Sequence, residues 1–190
     1  MLNILFILSI TTLILSLLCH VCTFIPFARL SMGNAWPLQL GAMVVFGAMV
    51  LILVAKQKAK RPARKAGESY LTWWSNSKNE NQKYLTEIIR SVTMTIRILC
   101  AGVFLYTLVN FALFMINSEG GGPFAENGKY YLKSHGHIIR ELSEQEFYRF
   151  QAYELRGFSG HWILFSLIPT VYFALIRRTN DTLENITKSQ

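Results

Sequence analysis

The chain has 190 residues, of which 52% are hydrophobic and 16% charged, with a net charge of +8. A typical soluble domain carries roughly 25% charged residues, so this composition argues against a disordered chain and against an ordinary soluble fold. A net positive charge suits nucleic acid only when it forms a basic face on a soluble domain, so the position of the charges decides what they mean.

Four apolar runs answer that question. They cover residues 1–25, 38–55, 98–116 and 158–176, and none has an acidic or basic side chain in its middle. A bilayer core of ~30 Å takes ~20 apolar residues in a helix, and all four runs fit. The first lacks a basic leader and is longer than the apolar core of a signal peptide, so it reads as a retained span. The predicted fold is an all-α integral membrane protein with four transmembrane helices. A short outer loop at 26–37 joins the first pair. Trp36 and Pro37 mark the entry to the second span, where Gly41, Ala48 and Ala55 lie seven residues apart on one face.

The segment 56–97 carries ten basic and three acidic residues, whereas the stretch from Asn117 to His161 carries five and six. Positive flanks stay in the cytoplasm, so both termini are expected inside, the 177–190 tail included. Most of the +8 is then an orientation signal, and nucleic acid is not an expected partner. Lys56, Lys58, Lys60, Arg61, Arg64 and Lys65 are candidates for contact with lipid head groups. Trp73 and Trp74 suit the membrane surface. Leu85, Ile88, Ile89, Val92 and Ile96 recur at helical spacing, which predicts one long helix from about 80 to 116.

The outer segment 117–157 predicts a small cap, a β-hairpin followed by a helix. Gly120, Gly121 and Gly122 open it as a flexible break. Two β-prone runs, 130–133 and 137–140, flank Ser134-His135-Gly136. Ser143 and Glu146 form a capping-box pattern, predicting a helix from 144 to about 156. Gly157 and Gly160 separate that helix from span four. Tyr130, Tyr131, Phe147, Phe150 and Tyr153 are candidate partner contacts.

Three constellations could carry chemistry. Cys19 and Cys22 sit one helical turn apart, in a spacing suited to a redox or metal pair. Together with Arg29 they resemble one part of the four-span, quinone-linked disulfide-forming enzymes, which place C-x-x-C after span one with an Arg close behind. The resemblance implies thiol and quinone chemistry at Cys19 and Cys22. The long outer loop holds no cysteine, so the second pair of that family is missing. His20 and His161 fall at similar depth on the predicted topology and are candidates for haem or a metal. His135 and His137 alternate in the expected strand and are candidate metal ligands. Within the spans, Asn110 and Tyr106 are expected to bond neighbouring helices, and Pro169 to kink span four.

No Ser-His-Asp set, phosphate loop or HExxH motif is present, and no cofactor is predicted. The absence of intramembrane charge weakens a transporter reading. The sequence therefore points to a bacterial inner-membrane protein acting through contacts with another membrane or envelope protein, as an accessory subunit or an immunity-type protein. A thiol or metal redox protein is the alternative.

Overall fold

The structure, a computed structural model, describes residues 1–25, 29–60 and 63–188, with side chains through residue 179. The helices are α1 (Leu2–Cys22), α2 (Met32–Lys60), α3 (Tyr70–Ser91), α4 (Met94–Asn117) and α5 (Glu144–Lys188). Three strands, β1 (Gly122–Glu126), β2 (Lys129–Ser134) and β3 (His137–Leu142), lie between α4 and α5. Helices α1, α2, α4 and α5 are long and apolar enough to cross a membrane.

Helix α1 buries its small and polar face and exposes its large apolar one. The buried residues of α1 are Ser9, Thr12, Ser16, Cys19 and His20, while Ile4, Ile7, Ile14 and Leu18 are exposed. Lipid tails solvate large apolar side chains, and small residues let helix backbones approach. Among the buried positions on α5, Leu155, Ser159, Trp162, Ser166, Pro169 and Phe173 form one stripe with alternating steps of four and three, and Ile163, Leu164, Leu167 and Tyr172 are buried beside it. The matching stripe on α1 has the same 3.5-residue average, the period of left-handed packing at a shallow crossing angle. Ser9 and Thr12 are bonded within α1, whereas the Ser16 hydroxyl is buried without a partner. Ser9 donates to the Phe6 carbonyl and Thr12 to that of Leu8, each at 2.8 Å. Ser166 donates to the Trp162 carbonyl at 2.7 Å.

Helix α2 completes the seam with Ala35, Ala42, Val45 and Met49. The expected seven-residue stripe is therefore displaced by one position, to Ala35, Ala42 and Met49. Of the predicted set, Ala55 is exposed. Gly41 does meet α1, since a Cβ there would lie 3.4 Å from the Thr12 side chain.

Two predicted boundaries are corrected. The long helix from 80 to 116 is two helices, because Val92 and Thr93 are extended (ψ 132° and 150°). The run Ser91-Val92-Thr93 explains the break. β-Branched side chains resist the helical χ1 restriction, and hydroxyls compete for backbone groups. Ser91 Oγ in fact donates to the Ile88 carbonyl at 2.6 Å. Helix α3 also starts earlier than expected and includes Trp73 and Trp74.

The second correction lies in α5, where the cap helix and span four are continuous over 45 residues. Gly157 and Gly160 do not interrupt it; they seat α4. A Cβ at Gly157 would come within 2.7 Å of Phe114 Cβ, and one at Gly160 within 2.9 Å of Asn110 Nδ2.

The cap holds three antiparallel strands in the order β1-β2-β3, one more than the expected hairpin. Asn127 and Gly128 (φ 51° and 74°) join the first pair, and His135 and Gly136 (φ 49° and 88°) the second. Positive φ at both central residues is the type I′ geometry that matches strand twist. The glycines at 120–122 are therefore not a loose break throughout, since Gly122 opens β1. Leu132, Leu142, Phe147 and Phe150 form the cap core, and each such side chain gains about 1.5–3 kcal/mol on burial. The capping box is present: Ser143 N–H donates to Glu146 Oε2 at 2.9 Å, and Glu146 N–H to Ser143 Oγ at 3.3 Å.

Candidate functional site

The polar groups of the bundle converge at its cap end. His20 is buried on the α1 face that meets α5. Its Nδ1 lies 2.7 Å from Ser159 Oγ, and its Nε2 meets the Tyr106 hydroxyl of α4. Ser159 Oγ also donates to the Arg156 carbonyl at 3.2 Å. With that proton committed, Nδ1–H is the donor to Ser159 and Nε2 accepts from Tyr106. A neutral imidazole thus uses both nitrogens to tie three helices together. Asn110 Nδ2 adds a bond of 2.6 Å to the Arg156 carbonyl.

Arg156 continues the network outward. Its Nη2 donates to the Thr23 carbonyl at 2.7 Å and its Nε to Thr23 Oγ1 at 3.2 Å. The guanidinium lies 4.0 Å over the Phe24 ring. Among the described residues no carboxylate lies within ion-pair distance of it. It stands at the floor of a crevice of about 970 Å³ between the end of α1 and the start of α5, with Arg29, Glu144, Tyr148, Arg149 and Tyr153 in its walls. Arg29 pairs with Glu144 at 3.4 Å and lies 4.5 Å over the Tyr148 ring. That pair is solvent-exposed and is worth about 0–1 kcal/mol. Binding pockets run to roughly 300–1,000 Å³, so the crevice is large enough for a peptide turn or a small amphiphile.

The opposite wall of the cap is held by charge. Arg140 bridges Glu119 at 3.1 Å and Glu146 at 2.9 Å. The Glu146 carboxyl is held down to about 2, first by the Ser143 N–H and then by Arg140. The bonded glutamates in turn hold the Arg140 guanidinium above its ordinary value, Glu119 most of all.

The other sequence candidates are distributed more widely. Cys19 and Cys22 are free thiols. Cys19 is buried among Ala35, Ala42, Leu155 and Trp162, and Arg29 is engaged by Glu144 instead. His161 places Nδ1 3.1 Å from the Gly157 carbonyl and its ring edge-on to Phe111. His20 and His161 are thus engaged separately, each in its own contacts. His135 is a turn residue with Nδ1 3.0 Å from Ser134 Oγ. Its expected strand alternation with His137 is therefore corrected, because only His137 belongs to β3. Among the described residues, no group of three or more His, Cys, Asp or Glu is placed to hold a metal.

Phe147 and Phe150 are buried in the cap core, and Tyr130 stacks on Phe147 at 4.5 Å. The cap uses Phe147 and Phe150 to close its own core, and Tyr130 is half-buried against it. Tyr131 is half-buried, and Tyr153 faces the crevice. Lys56 and Lys60 line a cavity at the other end of the bundle. Lys58, Arg64 and Lys65 are exposed, and Arg61 lies outside the described residues.

Sequence reasoning missed Arg156, Tyr148, Arg149 and the role of Ser159. The alternating stripe on α5 would have placed Ser159 opposite α1. No protein-family model, curated protein or solved structure matches this chain.

Proposed function

We propose that this chain is a multi-pass protein of the bacterial inner membrane that works by contact, with both termini in the cytoplasm and the cap outside. Its crevice receives a segment of another membrane or envelope protein, which makes the chain an accessory subunit or an immunity-type protein. The observation that carries this reading is the crevice itself. Arg29, Arg149 and Arg156 line it beside Tyr148 and Tyr153, and the Arg156 carbonyl is tied to the His20 network through Ser159. Tyrosine and arginine on a rigid base are the side chains that dominate binding at protein interfaces. The orientation is supported by the excess of basic residues in 56–97.

A photo-crosslinking residue at Ala152 in native membranes tests the reading. One discrete protein adduct is expected, lost when Tyr148 and Tyr153 are both changed to Ala and absent when the probe sits at Phe104 on the lipid face. Lipid adducts alone at Ala152 would reject it. The alternative redox reading rests on the spacing of Cys19 and Cys22, and the burial of Cys19 in an apolar cluster favours an inert thiol instead.

A further inference from the structure

The basic end of the bundle holds two adjoining cavities that the contact reading does not use. One, of about 430 Å³, is lined mainly by apolar groups, among them Met49 and Leu53 of α2, Ile89 of α3, and Ile168 and Val171 of α5, with Arg97 of α4 as its one charged side chain. The other, of about 440 Å³, is lined by Lys56, Lys60, Tyr84 and Thr179. The two share Ile88, Tyr172 and Leu175 as a common wall.

Tyr172 makes this wall informative. The residue is only 6% exposed, and its hydroxyl is buried with no partner in good hydrogen-bonding geometry. The Tyr84 hydroxyl stands beside it as its one neighbour and accepts from it, which leaves the proton of Tyr84 to donate. A ligand that supplies an acceptor to the Tyr84–Tyr172 pair is therefore favoured there. Lys56 and Lys60 are one turn apart on α2, so both ammonium groups reach the same side. Neither has a carboxylate within 4 Å among the described residues. Lys60 instead lies 4.3 Å over the Tyr84 ring.

An apolar chamber, a tyrosine pair with a proton to donate and two cations with no carboxylate beside them among the described residues, in that order, match an acyl chain, an ester oxygen and a phosphate. We infer that the paired cavities bind one anionic phospholipid, with an acyl chain beside Val171 and the headgroup between Lys56 and Lys60. Helix α3 forms the outer wall of the chamber through Leu85, Ile88 and Ile89. Bound lipid would therefore clamp α3 against the bundle.

Native mass spectrometry of the full chain in mild detergent, with added phosphatidylglycerol or phosphatidylcholine of equal chain length, is the test. One retained phosphatidylglycerol per chain is expected, held about tenfold better than phosphatidylcholine. The double variant K56Q/K60Q is expected to remove that preference, and Val171→Phe to reduce retention of both lipids by filling the chamber. Both lysines are exposed, so without added lipid the melting temperature of K56Q/K60Q should stay at the wild-type value, which separates loss of the site from loss of the fold. The control R64Q/K65Q, in the same basic stretch, should bind as wild type. Equal retention of the two lipids, an unaltered K56Q/K60Q, or an equal loss in R64Q/K65Q would each overturn the site. Displacement of the lipid by inorganic phosphate alone would do so as well, since the chamber would then contribute nothing.

Discussion

The two ends of the bundle treat their polar groups in opposite ways. At the cap end His20, Tyr106, Ser159, Thr23 and Arg156 are bonded to one another. Arg140 is shared between two glutamates. At the basic end the buried Tyr172 hydroxyl has only the Tyr84 hydroxyl beside it, and Lys56 and Lys60 face open cavities. Saturated polar networks rigidify, while unsatisfied ones wait for a partner. The difference separates what the protein needs for its shape from what it can offer to a ligand. Shape is concentrated where α1, α4 and α5 meet; capacity for lipid is concentrated where α3 leans on the bundle.

The harshest way to break this division is to part α4 from α5. A Cβ at Gly157 would meet Phe114 Cβ and Cγ at 2.7 Å, with helix backbone behind it. Gly157→Val is expected to lower stability by about 3 kcal/mol, the upper part of the overpacking range, as a lower melting temperature in detergent. Gly47 has nothing within 4 Å of the corresponding position, so Gly47→Ala should leave the melt unchanged or raise it. If both variants melt alike, close α4–α5 packing is not what holds the cap end.

A gentler comparison uses two tyrosines. Tyr106→Phe removes the donor to His20 Nε2 and should cost about 0.6 kcal/mol, the average of interhelical bonds measured in a membrane. His20→Leu strands both Ser159 and Tyr106, and should cost about 2 kcal/mol. Tyr172→Phe removes a hydroxyl whose one neighbour, Tyr84, lies outside good hydrogen-bond geometry, so in lipid-free detergent it should cost less than Tyr106→Phe. Equal effects of Tyr106→Phe and Tyr172→Phe would erase the contrast between the two ends.

The spans were legible because their length and lack of charge are set by the bilayer, which acts on every residue alike. The capping box at Ser143 was legible because both halves of the contact lie three residues apart. Strand β1 was missed although Asn127-Gly128, a strong hairpin signal, stood beside it; Pro123 and three preceding glycines made the run look like a loop. The continuity of α5 through Gly157 and Gly160 was illegible for another reason. A glycine reads as a helix breaker until the neighbour that requires it is known, and Phe114 lies far away in sequence. The His20 site has the same character. His20, Tyr106 and Ser159 come from three helices, and no local pattern joins them. Half of that join was still written in the chain, in the four-and-three alternation that carries Leu155, Ser159, Trp162 and Ser166 along one face.

The smallest effect concerns the cap alone and runs with pH. Glu146 has its carboxyl held at about 2 by the Ser143 N–H, the Arg140 guanidinium and the Ser143 hydroxyl. In the unfolded chain a glutamate titrates near ~4.3. Its folded value is therefore depressed, and its contribution is fully present above the unfolded value and is lost as pH falls through about 2. The near-ultraviolet dichroism of the aromatic cluster formed by Tyr130, Phe147 and Tyr148 reports this locally. That signal should weaken between pH 4 and pH 2 while the helical signal of the bundle holds, because the spans carry no carboxylate of this kind. Glu146→Gln should start from a weaker signal at neutral pH and show a shallower fall, with Glu119 supplying what remains through Arg140. A bundle that melts together with the cap at low pH would show that the two are one cooperative unit, joined along the unbroken backbone of α5.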